Sequence, residues 1–531
     1  MAVSVRPKRV VIAEEFSGSG LSVLRQDGIE AVFCIGKTRE ALADALKDAD
    51  GLIVRSQTRV DRDLIAAGPK LHVVARAGVG VDSIDVSACT QAGIVVVNTP
   101  DANVIAAVEQ TFALMLGLLR HTPQAYASMK AGKWERQTLV GGELYGKALG
   151  IAGLGRIGGA VAARARAFGM QVLVYDPYIS SVQAEAHDVQ LLSLDDLLER
   201  SDIVTLHMPL NDRTESLIDA SRLKKMKPNA LLINCARGGL IDEDALLAAL
   251  DGAQLAGAAL DVFAKEPPER GSSSARLQAH SLVLATPHLG GSTREALERV
   301  AVELARDIVN VLAGRPAEGA VNAPIPRGVD AHKVRPYLEL AYRIGVLYPQ
   351  LHDRAELSRI SMILRGEIAE VDAAPLVTGF LSGLLQGTAD RRISVVNADA
   401  LARERGLSVE VHAKASDEWV SSLEIGSSSQ RVVGTALHHG LRIVQIDDFE
   451  IDANPAGSLI LTRHRDIPGM IGRVGSVLGD AGINISNMQV ARAASGRDAM
   501  MVLSVDRAPE SATVDALRKV GGMLSVRSVQ I

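Results

Sequence analysis

The stretch that decides the fold runs from residue 147 to 177 and reads KALGIAGLGRIGGAVAARARAFGMQVLVYDP. An apolar run ends in the turn Gly153-Leu154-Gly155-Arg156-Ile157-Gly158, a helical pattern follows, and a second apolar run ends at Asp176. In this context the glycines permit a tight turn and a close approach of backbone to a pyrophosphate, and the helix start supplies unpaired N–H groups. The Asp176 carboxylate would accept hydrogen bonds from a ribose 2′-OH and repel a 2′-phosphate. The pattern predicts a dinucleotide turn that prefers NAD to NADP; a glycine-rich turn without a ligand is the alternative.

Strand-like runs alternate with helical patterns on both sides of this stretch. Strands are predicted upstream at residues 9–13, 51–55, 73–75 and 94–98, and a buried helix at 104–119. This alternation indicates parallel sheets covered by helices, an α/β fold with a Rossmann-type part. A Gly/Pro-rich segment at 314–328 reads as a linker, and the last 76 residues, 456–531, follow the ferredoxin-like order βαββαβ.

Composition excludes several classes of protein. The chain has 531 residues, 57 basic against 62 acidic side chains and 3% aromatic residues, which argues against nucleic acid as the main partner. Its three cysteines form no CxxC pair, so neither a disulfide framework nor a metal site is expected. We expect no signal peptide from the N-terminus and no membrane span at 104–119, which Glu109 and Gln110 interrupt. These features predict a cytoplasmic protein.

Three polar residues follow strands of the second series: Arg237, Glu266 and His288. Hydride transfer on an α-hydroxy acid needs a base for the hydroxyl proton, a cation for the substrate and a group that sets the tautomer of the base. Singly, each residue also has a structural interpretation: a helix cap, a solvated carboxylate or a hydrogen-bonded core histidine. Together, downstream of a dinucleotide turn, they predict a dehydrogenase site.

Several motifs carry a family resemblance over essentially the whole chain. GLGRIG (153–158), NCARGG (234–239), LDVF (260–263) and TPHLGGST (286–293) resemble the D-isomer-specific 2-hydroxyacid dehydrogenases. VRSQTRV (54–60), ARAGVGVDSID (75–85), VNTPDANVIAAVE (97–109) and GKWER (132–136) are similar to the D-3-phosphoglycerate dehydrogenase branch of that family. RHRDIPGMIGRVGSVLGDAGINI (463–485) resembles an ACT regulatory domain, and the region before it matches in position the allosteric substrate-binding domain of the long form.

The resemblance implies a domain organisation. An NAD-binding domain at 100–290 is expected to be inserted into a flavodoxin-like substrate-binding domain, which is made of 1–99 and 291–320. An α+β intervening domain at 321–455 and an ACT domain at 456–531 follow. Hydride transfer is expected in the cleft between the first two domains.

The resemblance also implies roles for individual residues. Arg237 would bind the substrate carboxylate and polarise C2–O, Glu266 would orient His288, and His288 would be the acid/base. Residues expected at the cofactor are Gly153, Gly155, Arg156, Ile157, Gly158, Asp176, Met208, Pro209, Cys235, Ala236, Arg237, Asp261, His288 and Gly290. Residues expected at a phosphorylated substrate are Arg55, Ser56, Arg76, Val79, Gly80, Asn103 and Arg136. For Met208 and Cys235 simple packing is the alternative, and for Arg76 a solvated side chain.

The tail is expected to hold an amino-acid effector, L-serine, at Asp466 and Asn484, with His464 beside them; a dimerisation module without a ligand is the alternative. The segment 134–136 would reach a neighbouring subunit, so a homo-oligomer, dimer or tetramer, is expected. The resemblance implies NAD-dependent oxidation of 3-phospho-D-glycerate, opening phosphorylated L-serine synthesis. The alternatives are a reductase of another 2-oxoacid (2-oxoglutarate, hydroxypyruvate or glyoxylate) and an NAD-sensing interaction protein without enzymatic activity.

Overall fold

The computed structural model describes residues 6–180, 184, 188–315, 317–324, 331–352, 359–386, 392–414, 421–426, 430–437, 440–493 and 496–531. Within these ranges the strands form four sheets. The predicted linker at 314–328 lies partly outside the described residues.

The first sheet is parallel, with the strand order β2-β1-β3-β4-β5. Its strands are β1 (Arg9–Ile12), β2 (Glu30–Phe33), β3 (Gly51–Val54), β4 (Val73–Arg76) and β5 (Val95–Val97). The helices between them are α1 (Gly18–Gln26), α2 (Arg39–Leu46), α3 (Arg62–Ala67) and α4 (Val86–Gln91). The side chains of Thr38, Asp61 and Asp85 cap α2, α3 and α4 by accepting a backbone N–H, an interaction typically worth about 1 kcal/mol. The order is that of flavodoxin-like sheets, which confirms the predicted fold class here.

The second sheet is also parallel, with the order β12-β11-β10-β9-β6-β7-β8. Its strands are β6 (Ala148–Ala152), β7 (Gln171–Tyr175), β8 (Gln190–Leu191), β9 (Ile203–Leu206), β10 (Leu231–Asn234), β11 (Gly257–Leu260) and β12 (Val283–Ala285). Its helices are α5 (Val104–Leu119), α6 (Thr122–Lys130), α7 (Arg156–Ala167), α8 (Leu194–Arg200), α9 (Ala220–Leu223), α10 (Glu243–Asp251) and α11 (Ser273–Ala279). The strand order reverses between β6 and β9, so the crevice for a ligand lies at the carboxyl ends of these two strands.

The chain then returns to the first sheet. Helix α12 (Arg294–Leu312) packs on α1, β4 and β5. Beyond it, the Asn98 N–H donates to the Gly319 carbonyl at 2.9 Å and the Val321 N–H donates to the Val96 carbonyl at 2.8 Å. The second sheet is therefore an insertion between β5 and α12.

Helix α5 spans the apolar stretch that the sequence analysis singled out. Eight of its residues are buried, and Gln110 donates to the Thr286 hydroxyl at 3.2 Å. Among the described helices, no single one has the length and apolarity to cross a membrane; α5 and α6 together do, but a 64° bend separates them.

The third sheet has the order β14-β13-β15-β16-β17-β18 and mixes parallel and antiparallel pairs. Its strands are β13 (Arg359–Gly366), β14 (Ser408–Lys414), β15 (Ser421–Gly426), β16 (Arg431–Leu437), β17 (Gly440–Ile446) and β18 (Phe449–Ala453). Its helices are α13 (Ala331–Leu351), α14 (Ala374–Leu384) and α15 (Ala398–Glu404).

The fourth sheet is antiparallel, with the order β20-β21-β19-β22. Its elements are β19 (Ser458–Arg465), α16 (Met470–Asp480), β20 (Ile485–Arg492), β21 (Asp498–Val505), α17 (Ser511–Arg518) and β22 (Met523–Gln530). This is the predicted βαββαβ unit.

Both faces of the fourth sheet are covered. One face packs on α16 and α17 through a cluster that includes Ile460, Val474 and Leu517. The other contributes Leu461 and Val502, with four further side chains, to the hydrophobic core of the third sheet. The third and fourth sheets therefore share one continuous core.

Candidate active site

The glycine turn after β6 has a different requirement at each glycine. Gly153 has a φ of +100°, and a Cβ there would lie 2.5 Å from the His207 carbonyl oxygen. A Cβ at Gly158 would overlap the Gly153 carbonyl oxygen. A Cβ at Gly155 would meet no protein atom within 4 Å. Packing thus explains Gly153 and Gly158, whereas the space beside Gly155 fits the pyrophosphate of a dinucleotide.

The start of α7 provides the donors for such a group. Gly155 is the N-cap and makes no side-chain hydrogen bond, so no described side chain caps the N–H groups of the first turn, Arg156 to Gly158. With the helix dipole these N–H groups attract an anion. The Asp176 carboxylate braces the turn, since it accepts the Leu154 N–H at 2.8 Å and the Tyr178 N–H at 2.9 Å. Asp176 therefore stands at the end of β7 beside the turn.

The other residues expected at the cofactor follow β9 and β10. Met208 is buried, and the Pro209 carbonyl accepts the Thr214 hydroxyl at 2.6 Å. Burial raises the pKa of the Cys235 thiol to about 12, so this cysteine is not a thiolate at neutral pH. The Ala236 N–H donates to the Asn234 side chain at 3.0 Å. These short connections border the crevice at the strand-order reversal.

His288 and Glu266 form a pair. His288 Nδ1 lies 2.7 Å from Glu266 Oε2, and the Phe263 N–H donates to Glu266 Oε1 at 3.0 Å. Burial raises the pKa of Glu266, but the hydrogen bonds from His288 and Phe263 outweigh it, and the pKa lies below its usual value. Glu266 is therefore ionised at neutral pH and fixes one ring nitrogen of His288, which leaves Nε2 for a reactant. His288 is exposed and has a φ of +54°, a backbone conformation that non-glycine residues rarely adopt.

Asp261 organises the loop that carries His288. Its carboxylate is fully buried and accepts the N–H groups of Leu289 and Gly290, both at 2.8 Å. It also accepts the Thr286 hydroxyl, and the His288 N–H donates to its backbone carbonyl at 2.8 Å. The carboxylate expected at the nicotinamide carboxamide therefore already has protein donors on both oxygens.

Three guanidinium groups converge across the cleft between the first two sheets. Burial, followed by the charges of Arg237 and Arg55, lowers the pKa of Arg76 to about 10. Arg76 Nε is buried without a hydrogen-bond partner among the described residues. A Cβ at Gly80 would overlap Arg237 Nη2, so this glycine lets the Arg237 side chain lie against the backbone of the loop after β4. The cluster is suited to an anion with more than one charge.

The other residues expected at the substrate lie at the start of α5 and in the loops after β3 and β4. Asn103 begins α5, and its side-chain oxygen is buried without a partner in the described part of the chain. Ser56 lies in the loop after β3 together with Arg55. The Val79 carbonyl accepts the Asn98 side chain, which holds the loop next to β5.

Arg136 is the predicted substrate residue that this chain does not bring to the cluster. It lies in the exposed loop between α6 and β6, where it makes no hydrogen bond or ion pair with any described residue. The neighbouring Trp134 is 80% exposed.

Sequence reasoning missed four residues that hold this site. Glu14 accepts the N–H groups of residues 55, 57 and 58 and so shapes the loop of Arg55. Asp82 pairs with Arg237, with 3.1 Å between Oδ2 and Nε. His207 Nε2 contacts the Thr205 hydroxyl at 2.9 Å, and burial lowers the pKa of His207 to about 4. Gln110 contacts Thr286. Glu14, Asp82 and His207 lie in segments that follow strands, and this position in the sequence could have indicated a role in the site. No feature of the sequence distinguishes Gln110 in this way.

The effector residues do not meet within one chain. Asp466 follows β19 where Arg465 pairs with Asp498, whereas Asn484 precedes β20 where Ile485 pairs with Val505. The two positions lie at opposite ends of β21, about 23 Å apart at roughly 3.3 Å per residue.

Their surroundings differ as well. The Asp466 carboxylate already pairs with Arg492 at 2.7 Å, and the Asn484 N–H donates to Asp506 at 3.0 Å. His464 is buried, and burial lowers its pKa. One chain therefore does not bring Asp466 and Asn484 together, and their assignment to the effector stays a prediction. Among the described residues no group of three or more His, Cys, Asp or Glu could hold a metal ion.

Three protein families match successive parts of the chain. The D-isomer specific 2-hydroxyacid dehydrogenase NAD-binding domain matches residues 112–290, the D-3-phosphoglycerate dehydrogenase intervening domain matches 333–447, and the ACT domain matches 458–522. These matches confirm the predicted order of the modules that they cover.

Relatives match over nearly the full length. The D-3-phosphoglycerate dehydrogenase of Synechocystis is 41% identical over 530 residues, which cover 98% of this chain and 95% of the relative. The Bacillus subtilis enzyme of that name is also 41% identical over 530 residues, covering 98% and 99%. The Methanocaldococcus jannaschii enzyme of that name is 39% identical over 528 residues, covering 98% and 100%.

Solved structures correspond to about three fifths of the chain. A Thermus thermophilus protein is 36% identical with a TM-score of 0.55, covering 59% of this chain and 99% of that one. The D-lactate dehydrogenase of Aquifex aeolicus, complexed with NAD and lactic acid, is 27% identical with a TM-score of 0.52, covering 57% and 96%.

Proposed function

Because the chain belongs to the family of D-3-phosphoglycerate dehydrogenases, we propose that it oxidises 3-phospho-D-glycerate to 3-phosphohydroxypyruvate with NAD. This reaction opens phosphorylated L-serine synthesis. The observation that carries the proposal is the position of Arg237. Its Nη2 lies against the backbone of Gly80, in the loop after Arg76, and its Nε pairs with Asp82 at 3.1 Å. Against the effect of burial, the hydrogen bonds from His288 and Phe263 hold the pKa of Glu266 below its usual value, and the charge of Arg237 adds to this effect. One guanidinium therefore joins the acid/base pair to a cluster suited to a phosphate and a carboxylate.

The proposed chemistry assigns one task to each group. His288 Nε2 takes the hydroxyl proton as C2 loses its hydride, and NAD, when bound, accepts that hydride. Glu266 keeps His288 in the tautomer with a proton on Nδ1 and stabilises the imidazolium that forms. Arg237 binds the carboxylate together with the backbone of Val79 and Gly80, and it polarises C2–O.

The phosphate would be bound by the remaining substrate residues. Arg55 and Arg76 belong to the cluster, and Ser56 follows Arg55 in its loop. Asn103 would donate through its side-chain NH2 group. The Arg76 Nε is a buried donor without a partner among the described residues. Buried polar groups are nearly always hydrogen-bonded, so such a donor favours an anionic ligand. Arg136 would act only from a neighbouring subunit.

The test is NADH formation with 3-phospho-D-glycerate against D-glycerate, which is the same hydroxy acid without the phosphate. D-lactate and D-2-hydroxyglutarate complete the panel. We expect 3-phospho-D-glycerate to give the highest kcat/KM. A higher kcat/KM with an unphosphorylated acid would favour the alternative function, a reductase of another 2-oxoacid. Tight NADH binding with no turnover of any acid would favour the non-enzymatic interaction protein.

We also propose that the chain assembles as a dimer or tetramer. Exposed apolar side chains concentrate on α6 and the loop after it, namely Tyr126, Met129, Trp134, Val140 and Tyr145. Clusters of exposed apolar side chains are typical of interfaces between proteins. Size measurement in solution tests the proposal, and a monomer at micromolar concentration would contradict it.

L-serine is the proposed effector of the ACT domain. Because Asp466 and Asn484 of one chain are far apart, a site using both needs Asn484 from a second copy. Serine would then compete with Arg492 for the Asp466 carboxylate. We also propose a division into four domains, namely 1–99 with 291–320, 100–290, 321–455 and 456–531. A cytoplasmic location is proposed as well.

A further inference from the structure

The Arg237 guanidinium is held at two of its three nitrogens. Nε donates to Asp82 Oδ2 at 3.1 Å, and Nη1 donates to the Ala236 carbonyl at 2.7 Å. Ala236 lies beside Arg237 in its own loop, but Asp82 lies 155 residues away, in the loop after β4. The Asp82 contact therefore crosses the cleft from the first sheet to the second.

The third nitrogen, Nη2, lies where a substrate carboxylate is expected. A Cβ at Gly80 would overlap Nη2, so the guanidinium lies against the Gly80 backbone. That Cβ would also stand 2.7 Å from Asp82 Oδ2. The Asp82 carboxylate and the Gly80 backbone thus both lie next to the Arg237 guanidinium.

Asp82 also balances charge in the cluster. Its carboxylate raises the pKa of Arg76, against the opposing effects of burial, Arg237 and Arg55. The pair with Arg237 adds little to folding stability, because the Asp82 side chain is 66% exposed and exposed ion pairs are weak. Its effect on orientation is larger, because a planar guanidinium fixed at two nitrogens has little freedom to turn.

We propose that Asp82 is a positioning residue for the oxidation: it holds Arg237 from across the cleft so that Nη2 faces the substrate carboxylate and the C2 oxygen beside Gly80. This proposal rests on the role proposed above for Arg237. It adds a residue that touches neither reactant and acts through Arg237.

The test compares Asp82→Asn, which keeps the shape and removes the charge, with Asp82→Glu, which keeps the charge. Asp44→Asn is the matched control, because it removes a carboxylate from an exposed ion pair on α2 of the same sheet. We expect Asp82→Asn to lower kcat about ten- to a hundredfold, since small misplacements of catalytic groups have effects of that size. KM should not rise, because the loss of a negative charge favours an anionic substrate. Inhibition by inorganic phosphate should strengthen for the same reason.

Asp82→Glu should recover most of the lost kcat, and all three variants should melt at the temperature of the wild type. Wild-type kcat in Asp82→Asn would overturn the proposal, as would a rise in KM at constant kcat. A lower melting temperature in Asp82→Asn that Asp82→Glu does not restore would mean a structural role and would also overturn it. The comparison uses the 2-hydroxy acid that the wild type oxidises fastest, so failure of 3-phospho-D-glycerate as substrate would leave this test intact.

Discussion

Gly155 and Gly158 of the dinucleotide turn and the next residue of α7, Gly159, should respond differently to the same small change, a replacement by alanine. Gly155 is the N-cap of α7, with φ −70° and ψ −160°, an extended backbone that alanine adopts. Loss of a preferred N-cap residue lowers the free energy of unfolding by about 0.5–1 kcal/mol. The smaller entropy of the unfolded chain raises the free energy of unfolding by about 0.4–1 kcal/mol. These two effects nearly cancel, so the free energy of unfolding should not change.

Cofactor binding should change instead. The new methyl group would occupy the space beside Gly155, where no protein atom lies within 4 Å and where the pyrophosphate is expected. Hydrogen bonds to a charged group contribute about 1.5–3 kcal/mol, and losing one corresponds to a ten- to hundredfold higher Kd for NADH.

The two other glycines are controls. At Gly158 the methyl group would overlap the Gly153 carbonyl oxygen, and overpacking of this kind costs about 1–3 kcal/mol, so this variant should melt at a lower temperature. At Gly159 the nearest atom is 4.0 Å from the new methyl group, and alanine should stabilise the helix by up to about 1 kcal/mol.

Thermal melts and NADH titrations by fluorescence measure the two quantities separately. If Gly155→Ala binds NADH like the wild type, the pyrophosphate does not lie beside Gly155 and the assignment of the turn is wrong. If Gly158→Ala is as stable as the wild type, the close approach of α7 to the turn is wrong.

His288→Ala should lower kcat at least about a hundredfold with little change in NADH binding, measured by steady-state kinetics and titration; near-normal turnover would contradict its role as acid/base. Glu266→Gln removes a carboxylate whose lowered pKa keeps it ionised at neutral pH, so the His288 imidazolium loses a stabilising partner. The rising limb of the pH profile of kcat/KM should therefore move to lower pH. Asp176→Ala should relax the preference for NAD over NADP, measured as the ratio of kcat/KM values; a wild type that uses both cofactors equally would refute the role of Asp176. Asp466→Ala and Asn484→Ala should each raise the serine concentration for half inhibition about ten- to a hundredfold without changing basal activity, and loss of basal activity with intact serine sensitivity would place the effector elsewhere.

Local patterns made much of the fold predictable. The apolar stretch of α5 was predicted with its observed bounds because a continuous helical pattern marks both ends. The turn at Gly153 and the strand ending near Asp176 follow from spacing alone, and the βαββαβ order of the tail follows from alternating patterns. Each of these features depends on contacts between residues close together in the chain.

The features that sequence did not predict depend on contacts between distant residues. Glu14 holds a loop some 41 residues away, and Asp82 reaches Arg237 across 155 residues. The separation of Asp466 from Asn484 follows from strand pairing with β21, which neither motif encodes. The family resemblance implies that Asp261 lies at the nicotinamide carboxamide, and this stays a prediction. Only the three-dimensional loop reveals that donors at Thr286, Leu289 and Gly290 already surround it.

The shared core has a consequence for regulation. Because the third and fourth sheets pack through one continuous core, an effector that moves the fourth sheet must also move the third. The third sheet's module touches the first sheet where Arg392 donates to the carbonyls of Pro69 and Leu71, just before β4. Arg76 is the last residue of the four-residue strand β4 and lies five residues after Leu71. Because β4 is paired with β3 on one side and β5 on the other, we expect a displacement at Arg392 to reach the arginine cluster by moving the first sheet relative to the second. The Asp82–Arg237 contact spans that same cleft, so if L-serine inhibits as proposed, we expect its effect to pass through the positioning of Arg237.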